Sequence, residues 1–308
     1  MFRGLVALVC ILTVASAASR QRSADAPSSA QPLPFFYDLY TFRGPRNSTA
    51  VVAAFAVHAG DLAKAEVDNE VRYRFGVSLV LADTALRTVS QTDDSVFVRF
   101  ARPLSDEHLL FTQIEVHTPP SATTLQRVIM IDATEPGIGQ LYSTPFTIPD
   151  YSGSELMLSD IALGHPDANA GWTRGDVTIA LLPTSQFPQS RFDVYYEVYN
   201  LPAGRPYATD ILVEHVNESG APVAESRPVR LRFSGEAASR RDGTLAELRR
   251  IEAALGKGRY RITITVTDQQ NGRTASRSRP FHVRGWGPGA TMVVAAPRGG
   301  RHSRVRDR

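Results

Sequence analysis

"RFDVYYEVYNLPAGRPY" (residues 191–207) alternates apolar and polar side chains with a period of two. Phe192, Val194, Tyr196 and Val198 share one parity, and Asp193, Tyr195, Glu197 and Tyr199 share the other. Successive side chains of a β-strand leave opposite faces of the sheet, so this period predicts a strand with one face on a core. The even parity is assigned to that core. The odd parity is assigned to the outside, where two tyrosines interleaved with two acids offer a possible ligand or partner face. Pro202 and Gly204 then end the strand in a turn.

The same grammar recurs on either side. "AVVAAFAVHAGD", "RYRFGVSLVLAD", "SVFVRF" and "LLFTQIEV" read as strands, and "RVIMIDATEPGIGQLYSTPFTI" as two strands around a turn at Pro136–Gly137. Many short strands without long helices between them predict an all-β chain of two tandem immunoglobulin/fibronectin-III-like β-sandwiches, over residues 35–149 and 150–285. "LGKGRY" (255–260) has the form of a tyrosine corner, in which the phenol of Tyr260 bonds back to the chain just upstream. Before it, "TLAELRRIEAAL" carries apolar residues at 245, 248, 251 and 255 and is followed by Gly256. That spacing predicts a short crossover helix in the second sandwich.

Residues 128–148 overlay residues 263–283 without a gap at an offset of 135, matching Ile129 to Ile264, Gly137 to Gly272, Ser143 to Ser278 and Pro145–Phe146 to Pro280–Phe281. A period this long suggests a tandem duplication of whole domains. One conflict follows: counting back from Phe281, the buried parity contains Arg279 and Arg277. Two unpaired buried arginines are implausible, so a kink or a register slip of the strand near Pro280 is expected.

The chain has 308 residues, 43% of them hydrophobic and 21% charged, with 20 prolines and 22 glycines, which suits two domains rich in turns. Residues 1–17 combine Arg3, an apolar run from Leu5 to Val14 and "ASA", the pattern of a cleaved signal peptide. Residues 18–34 read as a flexible linker and 286–308 as a disordered basic tail. Export to the periplasm or the extracellular space is expected, with no transmembrane span after cleavage. The single cysteine, Cys10, lies in the signal, so the mature chain must be held by core burial without disulfides. The net charge of +3 comes from the ends: Arg3 leaves with the signal, and "RGGRHSRVRDR" holds five arginines and one aspartate. The body is close to neutral, and no nucleic-acid recognition motif accompanies the basic tail.

The order "SELMLSDIALG" (154–164), "LLPTSQFP", "FDVYYEVYNL" and "GRYRITITVTDQQNGRTASRSRPFHV" resembles the β-sandwich region of bacterial GWxTD-domain proteins, over residues 35 to 285. The name-giving motif is absent, and "GWTRGD" (171–176) has a different spacing. The resemblance implies export and a tandem sandwich fold, and carries no activity with it.

Local catalytic signatures are missing. There is no G-x-S-x-G elbow, no H-E-x-x-H, no P-loop, no dinucleotide fingerprint and no EF-hand loop. Histidines 58, 108, 117, 165, 215, 282 and 302 are scattered singly. Asp160, Asp193, Glu197 and Asp268 are the acids available to a site assembled from distant segments. Glu197 is expected instead to keep the outer sheet face wet opposite a cross-strand Arg or Thr, and Asp160 to break a strand or cap a turn. Tyr195 and Tyr199, about 13–14 Å apart on one strand face, suit alternate rings of a glycan, an interface with the first domain or a partner, or plain sheet surface. Arg259, Arg261, Arg273, Arg277 and Arg279, with Arg284, form a candidate basic edge that either binds an anionic polymer or protects the sheet from aggregation. Sequons at Asn47 and Asn217 matter only in a glycosylating host. The expectation is an exported, non-catalytic binding or scaffolding protein of the bacterial cell envelope, with no catalytic residue, cofactor or metal. Its partner would be a protein or an envelope glycan, not a specific nucleic acid. A glycan-binding module on the Tyr195/Tyr199 face and a hydrolase with a nonlocal carboxylate site are the alternatives.

Overall fold

The computed structural model describes residues 32–135, 138–165, 171–184, 191–253, 255–284 and 292–294. The proposed signal peptide, nearly all of the linker, the Pro136–Gly137 turn and most of the basic tail lie outside the described residues. Nineteen strands and one 3₁₀ turn at Ala59–Asp61 account for the regular structure described.

In the first sandwich, β1 (Phe36–Arg43), β2 (Thr49–His58) and β6 (Leu109–Thr118) form one antiparallel sheet. The facing sheet runs β5 (Thr88–Phe100), β4 (Glu70–Ala82), β7 (Ser121–Asp132) and β8 (Gly139–Ile148), with short β3 (Lys64–Val67) hairpinned onto the start of β4. Val51, Ala53, Phe55 and Val57 from β2 close on Phe75, Val77, Leu79, Val128 and Met130 from the other sheet. The second sandwich repeats this order. β13 (Arg191–Tyr199) lies between β16 (Thr244–Glu252) and the split strand β9 (Met157–Leu158)/β10 (Ala162–His165), and β12 (Val177–Leu181) and β11 (Trp172–Arg174) extend the sheet. Facing it are β15 (Val229–Glu236), β14 (Pro206–Val216), β17 (Gly258–Asp268) and β18 (Thr274–Val283). Phe192, Val194, Tyr196 and Val198 enter this core as expected, against Ile211, Val213, Ile262, Ile264 and Val266. The tyrosine corner is present: the Tyr260 hydroxyl donates to the Gly256 carbonyl at 3.0 Å.

The two sandwiches meet through the sheets of β2 and β13. Ala50, Val52 and Ala54, with Tyr40 and Phe42, pack on Ala162, Trp172, Ile179, Leu181 and Tyr195. Four sheets are therefore stacked, and the two inner ones are covered on both faces. β2 carries the signature of such a strand, a nearly unbroken apolar run of small side chains.

Several expectations are corrected. The helix expected over 244–255 is strand β16, paired with β13 from Arg191↔Glu252 to Tyr199↔Thr244. Leu245 and Ile251 are six apart, which places them on one face of a strand and into the core. A single short helix is marginal alone, and the β13 ladder outweighs its local propensity. No register slip occurs near Pro280: β18 pairs with β17 without interruption, and Pro280, on an edge strand, forfeits no ladder bond inside the sheet. The gapless overlay of the halves is also off by one on its first strand. Val128, Met130 and Asp132 point inward, as do Ile264, Val266 and Asp268, so these strands correspond at an offset of 136. Phe146 and Ile148 still correspond to Phe281 and Val283 at 135, so the turn differs by one residue, and a one-residue slip exchanges the two faces. Within the expected tail, β19 (Met292–Val294) is a strand, parallel to β6 at Leu109–Phe111.

Candidate functional site

The odd parity of β13 faces the first sandwich rather than solvent. Tyr195, Glu197 and Tyr199 are 0% exposed and Asp193 is 2% exposed. This corrects the reading of Asp193, Tyr195, Glu197 and Tyr199 as an outward face: no glycan can lie across them in this structure. Alternation distinguishes two faces but not what covers each, and the covering sheet lies some 150 residues upstream, on the order of one domain length.

Glu197 sits at the centre of this seam. Its Oε1 accepts from Tyr195 Oη at 2.7 Å and from Arg174 Nε at 2.6 Å. Its Oε2 accepts from Tyr199 Oη at 2.7 Å and from Arg174 Nη2 at 2.9 Å. Four donors thus saturate a carboxylate with about four lone-pair positions. Arg174 arrives from the β11–β12 hairpin, whose turn residue Gly175 has φ +62°, a conformation that other residues rarely adopt. The Arg174 guanidinium also donates to the Arg43 carbonyl at 2.6 Å and lies over the Phe42 ring. Tyr199 Oη accepts the Arg43 N–H at 2.7 Å while the Arg43 guanidinium covers the Tyr199 ring at 4.3 Å. Burial, reinforced by the Glu197 charge, raises both phenols well above their ordinary value, so they remain donors. Burial alone would lower the Arg174 pKa, but the hydrogen bonds and charge of Glu197 outweigh it and raise it.

A second lock lies along β1. Asp160 interrupts the split between β9 and β10, which fits its expected strand-breaking role. Its backbone N–H donates to the Thr41 carbonyl at 3.0 Å, and its Oδ2 accepts from Thr41 N and Oγ1 at 3.0 and 2.7 Å. Its Oδ1 accepts from Arg277 Nε at 2.8 Å. Arg279 pairs with Asp38, donates to the Leu39 carbonyl at 2.9 Å and covers the Tyr40 ring at 4.1 Å. The conflict at Arg277 and Arg279 is resolved here: both keep the inward parity, and each meets an acid at the seam. The edge of β1 is thereby satisfied at residues 39, 41 and 43 by groups of the second sandwich, which leaves it unavailable to another strand.

The expected basic edge is divided. Arg259 and Arg261 lie on the parity opposite to Arg277 and Arg279, Arg259 exposed and Arg261 paired with Glu214 at 2.8 Å, and Arg273 is exposed in the β17–β18 turn. Asp193 pairs with Arg250, directly across the ladder, at 2.9 Å. Asp268 caps the β17–β18 turn by accepting from Gln270 N at 3.0 Å. None of the four candidate acids is brought together with another as a catalytic pair. Among the described residues, no group of three His, Cys, Asp or Glu side chains is placed to hold a metal ion.

Arg43, Thr41, Trp172 and Arg174 belong to the seam and were not singled out from sequence. Trp172 Nε1 donates to Glu115 Oε2 at 2.7 Å, and Glu115 Oε1 lies 2.7 Å from His117 Nε2. Burial works to raise the Glu115 pKa, but these hydrogen bonds and the Arg174 charge hold it below 4.5. The usable signal was "GWTRGD", a large aromatic and an arginine two apart, on one strand face, just before a tight turn at Gly175–Asp176. Two segments carrying the family resemblance, "LSDIAL" and "YYEVYNL", meet here, where Glu197 N donates to Ser159 Oγ at 2.9 Å.

No family model matches the sequence, and no curated protein matches it. Solved structures with partial likeness include a biofilm-associated protein BSP domain (12% identity, TM-score 0.31, 78% of this chain and 28% of that one). Others are a Bacteroides uniformis β-glucuronidase (10%, 0.26, 76% and 26%) and red sea bream transglutaminase (11%, 0.23, 81% and 31%). The chain spans less than a third of the length of each of these. With TM-scores this low, they assign neither ligand nor activity to it.

Proposed function

We propose that this chain is an exported, non-catalytic binding or scaffolding protein of the bacterial cell envelope, built to present the outer sheet faces of two sandwiches held in fixed orientation. The observation that carries this reading is the use made of Glu197: the most suggestive acid in the sequence is saturated by Tyr195, Tyr199 and Arg174 at the seam. Such a group holds in place Arg174 and Tyr199, which bond Arg43 of the first sandwich, and is poorly placed to exchange protons with a substrate. The N-terminal pattern and the resemblance to the sandwich region of GWxTD-domain proteins support export. Among the described residues no helix is long and apolar enough to cross a membrane.

Fractionation of bacteria expressing the full chain with a C-terminal tag tests the compartment. The expected result is a product outside the cytoplasm, shortened by the proposed signal. A full-length product confined to the cytoplasm contradicts the reading. Photo-cross-linking groups placed at Leu141 and at Thr265, one on each outer face, test the binding role in the same cells. A discrete adduct from at least one face is expected, and none from either contradicts it.

A further inference from the structure

The two sandwiches differ at the equivalent end of their outer sheets. In the second, Tyr260 of β17 pairs with Phe281 of β18, and their rings stack with centroids 5.5 Å apart and planes 25° apart. His215, opposite Tyr260 on β14, lies against the same ring at 5.1 Å. Three rings thus close the end of that sheet. In the first sandwich the counterpart of Tyr260 is Thr124, which pairs with Phe146, the counterpart of Phe281. The counterpart of His215 is Asp83, the residue after Ala82, which pairs with Leu125. Two of the three rings are missing, and Thr124, Phe146 and Asp83 line a cavity of about 380 Å³. That lies within the roughly 300–1,000 Å³ of ordinary ligand pockets.

A second feature points into the same place. Leu86, which lines the cavity, is 59% exposed and has φ +63°, a backbone region that side chains other than Gly rarely adopt. The turn is held there by Asp83, whose Oδ1 accepts from Ala85 N and Arg87 N at 2.9 Å each and whose Oδ2 accepts from Arg87 Nε at 2.8 Å. Local strain of this kind persists only when its surroundings enforce it, and it concentrates at binding sites.

We propose that this cavity is a docking site for an aromatic side chain, a tyrosine of a partner polypeptide, whose ring takes the place against Phe146 that Tyr260 takes against Phe281. The chemistry is that of the internal counterpart: an aromatic face from Phe146, aliphatic walls from Leu86 and Leu125, and a hydroxyl from Thr84 for the phenol. The proposal rests on the reading of the chain as a binding protein and names what one of its surfaces receives.

The test uses the purified full chain with p-cresol and N-acetyltyrosinamide as probes, followed by methyl NMR. Saturable shifts at the Leu86 and Leu125 methyls are expected. The Thr124→Tyr variant, which restores the missing ring, is expected to abolish them while melting no lower than the parent. Phe146→Leu should weaken binding by about three- to tenfold, the usual worth of an aromatic pair. Leu86→Ser, at an exposed turn, keeps the test decisive if either core variant misfolds and should also weaken binding. No saturable shift in the parent, or undiminished binding by a folded Thr124→Tyr variant or by Leu86→Ser, would overturn the proposal. Binding of methyl glucoside without binding of cresol would overturn it in favour of a sugar site. These measurements do not depend on export, and the fractionation result does not depend on the cavity, so the two failures are distinguishable.

Discussion

β2 and β13 face each other across the seam, and each is buried on both sides, yet they do it with opposite chemistry. β2 reads "TAVVAAFAVH" and meets the seam with alanines, valine and the rings of its neighbour β1. β13 reads "RFDVYYEVY" and meets it with two acids and two tyrosines, each acid paired with an arginine. Apolar contact fills the space between the sheets without fixing their relative position closely. Directional bonds across the seam fix it, from Arg174 and Tyr199 to Arg43, from Asp160 to Thr41 and from Arg279 to Asp38, because a buried polar group deprived of its partner is costly. The difference teaches that the seam is close-packed on one side and keyed on the other.

The comparison breaks most severely through the cores that each strand serves. Phe55→Ala and Phe192→Ala should each cost about 3–5 kcal/mol, read by chemical denaturation. If the seam couples the sandwiches, each substitution moves a single shared transition, whereas two separate transitions would show that the domains unfold independently. Glu197→Gln comes next. It preserves shape but leaves Arg174 buried without its counter-ion, at an expected cost of about 3 kcal/mol. Adding Arg174→Met should recover much of that loss in a double-mutant cycle, and strict additivity would show that the pair does not interact.

Alkali sharpens the same contrast. Tyr40, Tyr151, Tyr195 and Tyr199 have pKa values raised above the ordinary 10 by burial, and burial with the Glu247 hydrogen bond raises Tyr207 to about 12. The folded state therefore retains protons that the unfolded chain would lose. This stabilisation is fully present below pH 10 and is lost as the pH rises through 10 toward the folded-state values. Melting temperatures recorded between pH 8 and 11 should fall above pH 10, and a flat profile would contradict the assignment. The smallest effect is expected from Tyr199→Phe, about 2 kcal/mol for the loss of its bond to Glu197 and of the acceptor for the Arg43 N–H.

Much of this was legible in sequence where the pattern is local. The alternation of 191–199 gave the right parities, and "LGKGRY" gave the tyrosine corner with its bond to Gly256. The failures share one physical cause: the deciding partner is remote. Arg277 and Arg279 looked untenable only because Asp160 and Asp38 are more than 110 residues away. "TLAELRRIEAAL" has helical spacing by itself and becomes a strand because β13 offers it a full ladder. The exposure of Tyr195 and Tyr199 was misjudged for the same reason. β2 held the missing signal, since a strand apolar on both faces requires a second covering layer, and the opposite sheet had to be the one that supplies it.

The outer hairpins extend the lesson to the surface. β17–β18 shows water a hydroxyl ladder, Thr263 to Ser278 at 2.8 Å and Thr265 to Ser276 at 3.0 Å. β7–β8 shows Ile131 and Leu141, each about half exposed. Equivalent strands are finished for different surroundings, and the apolar face belongs to the sandwich that holds the cavity beside Phe146.

The central claim is that the Tyr195/Glu197/Tyr199 face of β13 is an internal seam. Hydroxyl-radical footprinting of the unmodified protein, read by mass spectrometry, tests it most directly. Tyr195 and Tyr199 should be protected to the level of the core residue Tyr196, while Leu86 and Leu141 are oxidised readily. Oxidation of Tyr195 and Tyr199 at a rate approaching that of Leu86 would contradict the account.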